Sequence, residues 1–249
     1  MPTPKVRSSE AVGGVTTQPD SLAFGSWQSG PTGSPLYSGL MLAGIVIGAA
    51  YWFREAKKDR RVVVIYAAGL VGAFAGAKLA FLFAEGWLHF HDPNRWAVWL
   101  SGKSIMGALP GGWITVEAAK YGLGYQKITG DRFAMLLPLP LILGRIGCLS
   151  AGCCGGIACG TARWPSVPVE ISFQAIALSC LWLIRHNDWQ RGQHFHLYLI
   201  AYSLFRFAHE FMRATPKPFM GLSGYQLIGL ATAIAAIAAY RHRAEKQRR

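Results

Sequence analysis

Tyr202, Arg206, Glu210 and Arg213 stand four, four and three residues apart in an otherwise apolar run. On a helix of about 3.6 residues per turn they fall within an arc of about 80°, a single polar stripe that must face a protein interior rather than hydrocarbon. A carboxylate one turn from a guanidinium can pair with it, so Glu210 is expected to hold Arg206 in place. His209 borders the stripe, about 20° from Tyr202. An imidazole, with an ordinary pKa of about 6.5, suits a general base near neutral pH. The alternative for His209 is a place among lipid headgroups with no chemical role.

A second arginine, Arg145, opens the glycine-rich stretch Gly144, Arg145, Ile146, Gly147, Cys148, ending at Gly155 and Gly156. Glycines there let backbone N–H groups approach an anion, and a planar guanidinium suits a phosphate. The cysteines at 148, 153, 154 and 159 are spaced unlike the paired cysteines of structural zinc sites, so neither a metal nor another cofactor is expected. A disulfide among these four is one reading. Small buried packing groups are the other, and the default for Cys180.

Such residues need apolar elements to carry them. The chain has 249 residues, 52% hydrophobic and only 15% charged, with 25 Lys and Arg against 12 Asp and Glu. That is too apolar for an ordinary soluble domain and excludes a disordered or collagenous chain. Seven apolar stretches long enough to cross hydrocarbon follow one another: Leu36–Phe53, Val62–Ala84, Ser104–Tyr121, Phe133–Leu149, Pro168–Ile184, His196–Phe211 and Phe219–Tyr240. An all-α, polytopic membrane protein is expected. Within the stretches lie Lys78, Glu117, Arg145, Glu170, Arg206 and Glu210, and charges inside a membrane are functional candidates by default. Lys78 and Glu117 can equally be structural, near helix ends.

Alternate loops, including the segment after Tyr240, hold 14 Lys and Arg, whereas the opposite segments hold seven over a longer stretch. By the positive-inside rule the N-terminus lies outside and the C-terminus in the cytoplasm. Residues 1–35 have no apolar run and read as a disordered outer tail, 36–240 as one membrane domain, and 241–249 as a basic cytoplasmic tail at anionic lipid headgroups rather than a nucleic-acid patch. Arg145 and Arg206 then both lie toward the outer leaflet, as a two-arginine clamp for a phospholipid headgroup.

On these residues the chain resembles the prolipoprotein diacylglyceryl transferase family, seven-span enzymes of the bacterial inner membrane. Pro35, Leu36, Tyr37, Ser38 and Gly39 are similar to the family's opening tyrosine–glycine element, and Ser104 through Gly112 to its S-I-H-G-G-L-x-G-G segment. Gly144 through Gly147 match the start of G-R-I-G-N-x-x-N-G-E, and Arg163 through Glu170 resemble R-H-P-S-Q-L-Y-E. Tyr202, Arg206, Glu210 and Arg213 follow Y-x-x-x-R-x-x-x-E-x-x-R, with Gly221 through Gln226 after them.

The resemblance implies transfer of diacylglyceryl from phosphatidylglycerol to the lipobox cysteine thiol of a prolipoprotein, without a cofactor. It implies catalytic roles for Arg145, Arg206, Tyr202 and Tyr37, and substrate contacts for Arg145, Gly147, Gly156, Ser104, Gly107, Arg163, Glu170, Glu210 and Arg213. Three positions depart from the pattern: the family histidine is Met106, its asparagine Cys148 and its glutamate Cys153. Two further readings therefore stay open. One is a paralogue with the same phospholipid donor and another thiol or headgroup acceptor; the other is a non-catalytic lipid-binding, transport or cysteine-based redox membrane protein.

Overall fold

The computed structural model describes residues 35–150, 152 and 154–248. The expected tail up to residue 34, Cys153 and the side chain of Tyr37 lie outside the described residues. The chain is mostly helical: α1 (Pro35–Ala56), α2 (Arg61–Ala84), α3 (Arg95–Ser101), α4 (Ile105–Gly122), α5 (Gly130–Leu136), α6 (Pro138–Ser150), α7 (Ser166–His186), α8 (His194–His209) and α9 (Gly224–Arg248). A small hairpin, β1 (Ala158–Cys159) and β2 (Ala162–Arg163), connects α6 to α7.

Each of the seven apolar stretches folds as helix. Three segments among the described residues are long and apolar enough to cross a membrane: Arg61–Ala84, Gly130–Ser150 and Ser166–His186. Leu42–Arg54 is a shorter apolar helix. Outward-facing Leu42, Val71, Phe74, Ile114, Ile176 and Ile234 are all more than half exposed, the surface a helical bundle presents to hydrocarbon.

Several boundaries differ from the pattern. The fourth stretch starts earlier, at Gly130, and is interrupted at Leu137, where Pro138 and Pro140 withhold two backbone donors. The seventh starts at Gly224, because Phe219–Leu222 forms a tight turn through Met220 (φ 51°) and Gly221 (φ 83°). Ser223 and Gln226 then close a reciprocal cap: Ser223 N donates to Gln226 Oε1 (2.8 Å) and Gln226 N to Ser223 Oγ (3.2 Å). The same helix runs on to Arg248, so the basic stretch 241–248 is helical. The expected stripe also ends early. The sixth stretch tightens into a 3-10 turn at Glu210–Met212, and Arg213 is extended, off the helix.

The pair α2 and α4 is joined through glycine. A Cβ at Gly76 would collide with Gly107 O, one at Gly107 with Gly76 O, and one at Gly111 with Gly72 O, so the two backbones touch without intervening side chains. Thr115 Oγ1 adds a hydrogen bond to Ala68 O (2.8 Å). This packing fixes the N-terminus of α4, where Ser104 Oγ accepts from Met106 N (3.3 Å).

Two of the six intramembrane charges are used structurally. Lys78 Nζ donates to Trp99 O, Leu100 O and Gly102 O at 2.7, 2.7 and 2.8 Å, satisfying the carbonyls at the end of α3. Glu117 pairs with buried Lys120 (3.0 Å). At the same end of the bundle, Asp131 receives Gly192 N (2.6 Å) and His194 N (3.1 Å), an acidic group at the start of α8.

Candidate active site

The other four intramembrane charges meet at one end of the bundle. Glu170, in the first turns of α7, is 1% exposed. Its Oε2 lies 2.9 Å from Arg145 Nη2 of α6 and 3.4 Å from Arg206 Nη1 of α8, so a single carboxylate bridges both arginines. Its Oε1 accepts from the Tyr202 hydroxyl (2.8 Å). The expected pairing of Arg206 with Glu210 is present at 3.0 Å. Glu210 also accepts from Thr215 Oγ1 (2.6 Å) and stands 3.5 Å from Arg213 Nε.

One rule of spacing builds this ladder. On α8, positions 198, 202 and 206 recur every four residues and face positions 170 and 174 of α7, also four apart. Tyr198 donates to Gln174 Oε1 (2.8 Å) one turn below the Tyr202–Glu170 bond. Gln174 and Tyr198 escaped the sequence reading, though their spacing from Glu170 and Tyr202 was the available signal.

Three arginines thus surround the two fully buried carboxylates of Glu170 and Glu210. Among the described residues, several buried donors at this site have no hydrogen-bond partner: Arg206 Nε, Arg213 Nε and Nη1, and Gln174 Nε2. Buried donors of this kind favour an anion.

His209 is buried, 6% exposed, against the ring of Phe205, so it does not sit among headgroups. Its Nε2 accepts from Trp164 Nε1 at 3.3 Å, which places the ring proton on Nδ1 and commits the basic nitrogen. Arg213 leaves the stripe but reaches the same cluster from the chain beyond α8, where its backbone bridges to Gly156. Gly156 is squeezed against Trp164: a Cβ would stand 2.5 Å from Trp164 Cβ. Gly147 is buried and its carbonyl accepts from Ser150 Oγ (2.9 Å). Ser104 caps α4, and Gly107 belongs to the glycine contact with α2. Arg163 is exposed on the hairpin.

Met106 is 2% exposed and shares a core cluster with Ala84, Tyr202 and Tyr225. Cys148 is buried, whereas Cys159 and Cys180 are exposed free thiols, so Cys159 takes no part in a disulfide. Below the cluster an apolar cavity of about 260 Å³ lies between α1, α2, α4 and α5, lined among others by Trp52, Trp113 and Phe133. Its wall includes Ile105 and Leu109, which pack in the core cluster of Met106 and Tyr202.

The family described as prolipoprotein diacylglyceryl transferase matches residues 27–241. Among curated relatives, the phosphatidylglycerol–prolipoprotein diacylglyceryl transferase of Dehalococcoides mccartyi (strain CBDB1) is 26% identical over 239 residues, covering 85% of this chain and 90% of that protein. The Clostridium tetani protein of the same name is 28% identical over 229 residues, covering 81% and 90%. A Clostridium perfringens protein, phosphatidylglycerol–prolipoprotein diacylglyceryl transferase 2, is 28% identical over 191 residues, covering 69% and 74%. With a match that takes in every element of the buried cluster, the chain belongs to the prolipoprotein diacylglyceryl transferase family.

Proposed function

We propose that this chain is a multi-pass inner-membrane transferase that moves diacylglyceryl from phosphatidylglycerol to the lipobox cysteine thiol of a prolipoprotein. The observation that carries the reading is the buried cluster in which Glu170 bridges Arg145 and Arg206. The acceptor sulfur attacks the glycerol carbon next to the phosphate, a C–S bond forms as the C–O bond breaks, and glycerol phosphate departs. Arg145 and Arg206 stabilise the charge on that leaving group. The donor phosphate competes with Glu170 for their N–H groups, and Arg213 supplies further donors. Tyr202, with Tyr37 from α1, orients the headgroup. Gly147, Gly156, Ser104 and Gly107 shape the backbone around it, Glu210 holds Arg206, and Arg163 meets substrate from the hairpin. The acyl chains of the donor occupy the apolar cavity.

The topology belongs to the proposal as well. Seven spans, with an outer N-terminal tail, a membrane domain and a cytoplasmic basic end, are supported by the 14 basic residues in alternate loops. A reporter fused after Arg249 is expected to be active only in a form that works inside the cytoplasm; activity confined to the outer side overturns the orientation.

A second reading, the same donor with another thiol acceptor, is favoured by Met106, Cys148 and Cys153 in place of the family residues. Phosphatidylglycerol labelled in its acyl chains, offered with either a lipobox peptide or a small thiol, separates the two. Label is expected on the peptide. Label on the small thiol alone selects the second reading, and label on neither overturns both.

A further inference from the structure

Transfer to a thiol needs a proton acceptor, because a free cysteine with a pKa of about 8.5 is only a few per cent thiolate at neutral pH. Met106 cannot serve. Glu170 is engaged by two arginines and Tyr202, Glu210 by two arginines and Thr215, and the basic nitrogen of His209 by Trp164. One more carboxylate reaches the cluster. Glu85 follows the last residue of α2, its backbone N–H donating to Phe81 O (2.9 Å), and its carboxylate lies near the Tyr225 hydroxyl and in the electrostatic field of Glu210 and Arg213. Two contacts set it there. Gly224 packs so tightly on α2 that a Cβ would stand 2.6 Å from Ala84 Cα, and the Ser223–Gln226 cap orients the first turn of α9, which bears Tyr225.

Resting on the transferase reading above, we propose that Glu85, aligned by Tyr225, is the general base that takes the proton of the acceptor thiol. Its neighbours Ala84 and Tyr225 share the core cluster of Met106, so this pair of α2 and α9 borders the position where the family carries histidine. Burial, and then the Glu210 carboxylate, push the Glu85 carboxyl above its ordinary range, while Arg213 opposes them. That brings its basicity closer to that of the thiol. The charge count agrees. With Glu85 ionised, three carboxylates balance Arg145, Arg206 and Arg213; an arriving phosphodiester makes the site negative and favours uptake of a proton by Glu85. In the step, the S–H proton passes to the Glu85 carboxylate, the sulfur bonds to the glycerol carbon, and the electron pair of the broken C–O bond leaves on glycerol phosphate. The proton later returns to solvent.

The test compares wild type and the isosteric variant E85Q, using labelled phosphatidylglycerol and two lipobox peptides, one with cysteine and one with selenocysteine, whose selenol ionises without help. With the thiol peptide E85Q is expected to lose roughly 10²- to 10⁴-fold in kcat, the usual contribution of a general base. The residual rate should rise with pH where the wild-type rate has levelled. With the selenol peptide E85Q should come within a few-fold of wild type. Equal loss with both peptides marks Glu85 as structural and overturns the assignment, as does an unchanged thiol rate. Wild type inactive on both peptides is a different failure: the transferase reading falls, and this inference with it.

Discussion

Arg145→Ala and Arg206→Ala are each expected to reduce diacylglyceryl transfer by at least about 10²- to 10³-fold, the cost of removing one donor aimed at charge developing in a transition state. The two variants should differ in stability. Arg145 is 16% exposed at its side chain and leaves Glu170 paired with Arg206 when removed. Arg206 is 5% exposed and serves both Glu170 and Glu210, so its loss strips a partner from two buried carboxylates. The measurement is transfer per mole of membrane-inserted protein, with the melting midpoint in detergent alongside. Lysine at either position should restore little, because an ammonium cannot engage Glu170 and a phosphate oxygen together through a planar fork. Wild-type turnover in either alanine variant would remove that arginine from the leaving-group site.

Glu170→Gln should show the largest effect on the fold. The amide keeps the shape and can still accept the Tyr202 hydroxyl, but two guanidinium groups then face each other across a neutral group in a buried site. Breaking a buried pair by deleting one charge costs about 3–5 kcal/mol. The expected result is a marked drop in the melting midpoint and in the yield of inserted protein, larger than for Arg145→Ala. High phosphate or sulfate should recover part of the loss, since an added anion beside the arginines can supply the missing negative charge. A melting midpoint unchanged from wild type would mean that something other than Glu170 balances the charge of the two arginines.

Much of this arrangement is legible in the order of residues because the carriers are periodic. Tyr202, Arg206 and Glu210 announce a face by their spacing, and an arginine or glutamate within an apolar run cannot be ignored. The contacts that escaped join elements distant in sequence with no repeat to reveal them. Trp164 and His209 are 45 residues apart, and the donor is an indole in a connecting loop. Glu85 ends an apolar run and reads as a boundary; only the packing of Gly224 on Ala84 turns it inward. The role of Lys78 stayed hidden with α3, seven residues that complete too few turns for a clear period. For Arg213 an ideal wheel predicts a place on the stripe, whereas the 3-10 turn removes it from the helix and the extended chain brings it 3.5 Å from Glu210.

The glycine contact between α2 and α4 bears on how a lipid gets in. Helices whose backbones touch cannot be prised apart gradually, since a gap of about 0.5–1 Å already forfeits roughly a quarter to a half of the attraction and no long side chains bridge a partial opening. The two therefore move as one stiff plank. It carries Glu85 at one end and Ser104 and Met106 beside it, so these positions hold their mutual registry during turnover. A lateral gateway for donor or lipidated product must open along another seam of the bundle, and crosslinks across the plank should leave catalysis intact while crosslinks across that seam stop it.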